Sequence, residues 1–115
     1  MDKVMSRILF FVTFLMSMPS MARNMWCGGT LEGVYIEAAG NLMIRGTWRN
    51  DWTKICNVNS DPVTCSLWAS YAANALQNQN SVTLMYSGDF KCDTIDIYAD
   101  APTPLYFMLN KKSIN

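Results

Sequence analysis

Four cysteines in a chain of 115 residues limit what this sequence can become more than any other feature. Cys27, Cys56, Cys65 and Cys92 form an even set, which in a short exported chain reads as a disulfide framework. The first 22 residues supply the export signal. Lys3 and Arg7 make a basic start, Ile8 to Met16 is an apolar run, Pro19 breaks it, and Ser20 and Ala22 put small residues where a signal peptidase reads. The apolar run is shorter than the roughly 20 residues that a membrane span needs. Residues 1–22 therefore read as a cleaved signal peptide, with no membrane span left after cleavage. The residues before Cys27, Arg23 to Trp26, are too polar and too large for a lipoprotein site.

The mature part, 23–115, reads as one domain in a secreted or periplasmic setting. A domain of this size buries only about two-thirds of its unfolded surface, so covalent cross-links help it. Four cysteines allow three pairings. The favoured one joins Cys56 to Cys65 locally and Cys27 to Cys92 over a long loop. Metal binding is a poor alternative, because there is no C-x-x-C spacing and no histidine.

Losing the leader removes Lys3, Arg7 and Asp2, which leaves seven basic and eight acidic side chains and a net charge of −1. Nucleic-acid binding needs a basic stripe, so that partner class is not expected.

Hydrophobic alternation gives the order of elements. Leu31–Glu37 and Leu42–Trp48 read as strands around the Ala38–Asn41 turn. Arg49-Asn50-Asp51 reads as the next turn, and Trp52–Val58 as a third strand. Asp61 and Pro62 are a helix start. The helix runs to about Gln77, with Cys65, Trp68, Ala69, Ala72 and Leu76 on its apolar face and Ala72 and Ala73 keeping that face thin. Val82–Tyr86, Thr94–Tyr98 and Leu105–Leu109 complete the strands. Trp68 and Tyr86 are expected in the core. The fold class is mostly β with one helix (α+β). The order β-β-β-α-β-β fits a small OB-fold-like barrel, with a two-layer α+β sandwich as the alternative.

The stretch from Gly33-Val34-Tyr35-Ile36, through Cys56 and Cys65-Ser66 with Trp68, to Val82-Thr83-Leu84-Met85-Tyr86 resembles the B-subunit family of subtilase-type AB5 toxins. That resemblance implies an OB-fold, a pentamer and binding of cell-surface glycans. Family members place a serine, used to hold sialic acid, just before the first-strand glycine. Here that position is Glu32, whose carboxylate would repel an anionic sugar, so the sialoglycan site is not carried over.

Catalysis is not expected. Without histidine there is no Ser-His or Cys-His nucleophile pair, and oxidised cysteines are not nucleophiles. Glu32 with Glu37, or Asp89 with Asp93 and Asp96, read as solvated acids before they read as a glycosidase pair. The three aspartates lack the spacing of a calcium loop. No phosphate-binding glycine loop is present, and no cofactor is expected. Trp48 and Trp52 flanking Arg49 and Asp51 are the best recognition candidates, because aromatic faces stack on sugars or protein side chains while the polar groups direct hydrogen bonds. The competing expectation is that one or both tryptophans cap the core. The expected function is an exported binding module for a glycan or a protein, with a periplasmic inhibitor or immunity-type protein as the alternative.

The leader generates a direct test. Intact-mass spectrometry of the exported chain should show residues 1–22 gone and Arg23 first. A full-length mass in the exported fraction would refute the cleavage reading.

Overall fold

A computed structural model describes residues 23–88 and 91–112. The expected signal peptide, residues 1–22, and Asp89 lie outside that range. Among the described residues the elements are β1 (Asn24–Ile36), β2 (Asn41–Gly46), β3 (Arg49–Asn57), α1 (Pro62–Asn78), β4 (Ser81–Ser87) and β5 (Tyr106–Leu109). The strands form one open antiparallel sheet in the order β3-β2-β1-β4-β5. The fold is α+β, and the sheet does not close into a barrel.

β1 starts at Asn24, seven residues before the first strand expected from alternation. Its two halves have different partners. Asn24–Thr30 pairs with β4, and Leu31–Ile36 pairs with β2 across a bulge between Leu31 and Gly33. The strand changes partner just after Gly29, at a φ of 155° that side-chain-bearing residues rarely adopt. A β-carbon there would also lie 2.2 Å from Thr47 Oγ1. Thr47 fills that space productively. Its hydroxyl accepts from Thr30 N–H at 3.1 Å, and its own N–H donates to the Thr30 carbonyl at 3.0 Å. The β2–β3 turn is thereby fastened to the bend in β1.

The turn itself differs from expectation. Gly46 pairs with Arg49, so the connection is the two residues Thr47 and Trp48, and Arg49-Asn50-Asp51 opens β3. Polar composition suggested a turn there, but ladder pairing with β2 outweighs the weak strand propensity of Asn and Asp.

The helix begins as its sequence dictates. Asp61 Oδ1 accepts from Thr64 N–H at 3.3 Å, and Pro62 occupies the first turn. It ends at Gln79, in the left-handed conformation with φ 60°. Cys65, Ala72 and Ala75 are fully buried, while Trp68, Ala69 and Leu76 pack at the margin of the core. Ala75, and not the exposed Ala73, is the second small residue of the buried face. The core joins this face to Cys27, Leu31, Leu42, Ile44, Ile55, Val82, Leu84, Tyr86, Ile95 and Phe107.

The expected strand over Thr94–Tyr98 does not form. Thr94 and Ile95 N–H both donate to the Lys91 carbonyl, which curls the chain just after Cys92. Ile95 drops into the core, and only Tyr98 reaches β3, in a single parallel bridge with Thr53. Tyr98 N–H donates to the Trp52 carbonyl at 2.8 Å, and Lys54 N–H donates to the Tyr98 carbonyl at 3.2 Å. Tyr98 makes both bonds at a φ of 54°.

Cys27 is joined to Cys92, 65 residues away, and Cys56 to Cys65, 9 residues away. Two disulfides are consistent with an oxidising extracellular or periplasmic setting. Loop entropy gives about 4 kcal/mol for the long bridge and about 3 kcal/mol for the short one. Replacing Cys27 and Cys92 together by alanine should therefore lower the melting temperature by well over 10 °C, at about 4–8 °C per kcal/mol in a domain of this size. A thermal melt displaced by only a few degrees would show that the long bridge is not what restrains the unfolded chain.

Candidate functional site

The alternation of β3 sends neighbouring side chains to opposite faces, and this divides the residues expected at the binding surface. Trp48 folds back over Gly46, where a β-carbon would lie 2.0 Å from its ring, and packs against the core. Arg49 also turns inward, with its side chain only 9% exposed. Its Nε lies 3.6 Å from Asp51 Oδ2, an ion pair longer than a hydrogen bond, and among the described residues no acceptor meets Nε or Nη1. Asp51 is half exposed, and Glu32 stands exposed at the β1 bulge. Trp48, Arg49, Asp51, Trp52 and Glu32 therefore do not form one surface.

Trp52 belongs to the other face, away from the core. The tip of its ring reaches Gly33, where a β-carbon would come within 2.6 Å of Cη2. The Tyr35 ring meets it edge-on, with centroids 4.6 Å apart and planes at 74°. The Arg45 guanidinium lies 5.1 Å from the Trp52 ring centre. Register explains the grouping, since Gly33 pairs with Arg45, Tyr35 with Met43, and Met43 with Lys54. Met43 is 1% exposed yet lies outside the main core, so it serves as the apolar floor of this outer cluster. The edge-on ring pair contributes about 0.5–1.5 kcal/mol beyond area burial, and the cation over the ring about 0.5–1 kcal/mol. These contacts hold Trp52 in one orientation, with Arg45 over its ring and Lys54 two residues along the same strand.

Tyr35, Arg45 and Lys54 were not singled out from the sequence. The signal that could have found them is period-2 alternation: Gly33, Tyr35 and the outer positions of β2 and β3 share a face once the turn is placed at Thr47-Trp48. Asp93 and Asp96 are both exposed, and among the described residues no three His, Cys, Asp or Glu side chains gather around a common point.

No family description, curated protein or solved structure matches this chain.

Tyr86 records the inward turn of Arg49. Burial raises its phenol well above the ordinary tyrosine value, and the positive charge of Arg49 opposes that rise in part. The unfolded chain therefore loses this proton first, from about pH 10. Above that pH the native state holds more protons than the unfolded state, so stability falls as pH rises toward the folded value. Denaturant titrations should show this alkaline loss in the wild type and a smaller one in Tyr86→Phe. Equal losses in both would refute the assignment.

Proposed function

We propose that this protein is a non-catalytic carbohydrate-binding module. The observation that carries this reading is the ordered Trp52 plate on the outer face of β1–β2–β3, packed edge-to-face with Tyr35, with Arg45 over one side of its ring and Lys54 two residues along β3. An indole face stacks against the C–H face of a sugar ring, while the flanking cations donate to hydroxyl or carboxylate oxygens. The strand 2–3 face is also the surface on which OB-folds bind oligosaccharides. The non-catalytic reading is supported by the lack of histidine and by four cysteines that are all disulfide-bonded.

The OB-fold reading is supported by the position of α1 between β3 and β4, by β1 lying between β2 and β4, and by the parallel Thr53–Tyr98 bridge across the gap where such a barrel would close. The ring of five implied by the toxin B-subunit resemblance is a separate proposal, which light scattering would test by mass.

A protein partner is the second reading, and a different observation favours it. Trp26, Tyr106 and Met108 are about half exposed on the outer side of β1 and β5, in register around Met85 and Thr83 of β4. An apolar group of this kind suits a protein surface.

A glycan array separates the two. Binding of the wild-type protein should be lost in Trp52→Ala and weakened several-fold in Arg45→Gln, with near-ultraviolet circular dichroism confirming that each variant is folded. A folded wild-type protein silent across the array, together with a binding partner lost in Trp26→Ala or Tyr106→Ala, would refute the carbohydrate reading in favour of the protein one.

A further inference from the structure

The sheet leaves a seam. β3 is an edge strand, and beyond the Tyr98 bridge its free edge has no neighbouring strand among the described residues; Thr103 and this part of β3 both line a cavity of about 190 Å³. The cavity is lined by Lys54 and Asn57 of β3, by Ser60, Asp61 and Thr64 around the start of α1, by Trp68 one turn further on, and by Thr103. Cys56, bonded to Cys65, forms part of its wall.

We propose that this seam cavity is a second sugar subsite, continuous with the Trp52 plate through Lys54, so that the ligand is an oligosaccharide chain and not a single terminal sugar. The inference rests on the carbohydrate-binding reading and specifies its ligand.

Three observations support it. The first is chemical. One carboxylate, one ammonium, three hydroxyls and an indole converge on a space too small for a folded partner, and this is the mixture that polyhydroxylated rings require. Asp61 Oδ1 is engaged in capping Thr64 N–H, which leaves Oδ2 to accept from a ligand hydroxyl. Trp68 is held by Phe107, with ring centres 5.9 Å apart, so its position is set before any ligand arrives.

The second is geometric. Trp52 and Asn57, which lines the cavity, stand five residues apart on one strand, a distance of about 16 Å at strand rise. One sugar ring cannot reach both ends. The third is positional. Lys54 is the one residue that belongs both to the register row of the outer cluster, opposite Met43, and to the lining of the cavity. A chain lying on Trp52 passes over Lys54 to enter the seam.

The test is chain-length dependence. The purified protein is titrated calorimetrically with oligosaccharides of one to six units from four series (cello-, malto-, chito- and galacturono-). Tryptophan emission is followed in wild type, Trp68→Phe and Asp61→Asn. Asparagine caps a helix as well as aspartate does, so Asp61→Asn removes the charge and keeps the helix start.

In the series that binds, affinity should rise about tenfold or more between one unit and four, the equivalent of about 1.4 kcal/mol. Most of that rise should be lost in Asp61→Asn at an unchanged melting temperature. The emission change specific to long ligands should disappear in Trp68→Phe. A single sugar that binds as tightly as the tetramer, with Asp61→Asn indistinguishable from wild type, would overturn the subsite and leave the Trp52 plate standing. Silence in all four series at every length would overturn both.

Discussion

The division of β1 between two partners is the constraint on which the rest depends. A thirteen-residue strand whose first half pairs with β4 and whose second half pairs with β2 must bend between them. Glycine at position 29 permits the bend, and Thr47 of the next turn locks it. Everything downstream inherits that geometry. Cys27, in the first half, fixes where Cys92 and its loop must lie. The second half sets the register of β2, and β2 sets that of β3. The Trp52 plate thus stands where it does because β1 turns where it does.

Much of the fold was legible because local chemistry and burial agreed. Asp61-Pro62 announced the helix, the spacing of Cys65, Trp68, Ala72 and Leu76 announced its inner side, and Val82, Leu84 and Tyr86 announced β4. The parts that misled were those where tertiary forces oppose local preference. Gly28-Gly29 breaks the alternation that would have identified the start of β1. Thr94–Tyr98 has the composition of a strand, yet Cys92 anchors its start to β1 and Pro102 and Pro104 deny it a regular partner beyond.

The candidate surface was half legible for a related reason. Taking Arg49-Asn50-Asp51 as the β2–β3 turn, two residues beyond its place at Thr47-Trp48, assigned Arg49 and Asp51 to a tip and grouped Trp48 with Trp52. Trp48 lies in the turn itself, off the strand alternation that places Trp52. With the turn at Thr47-Trp48, Trp48 and Arg49 belong inside and Trp52 outside. Its real neighbours, Tyr35 and Arg45, come from strands distant in sequence, which no single-strand pattern can bring together.

Tyr98 carries a consequence of its own. It holds the only bridge across the seam among the described residues, and it does so in a left-handed backbone conformation that costs a side-chain-bearing residue about 1–2 kcal/mol. The latch is therefore sprung. Releasing its two hydrogen bonds also relaxes the backbone that made them, which offsets part of what those bonds contribute. That strain sits on the same free edge of β3 whose later residues, Lys54, Cys56 and Asn57, line the cavity.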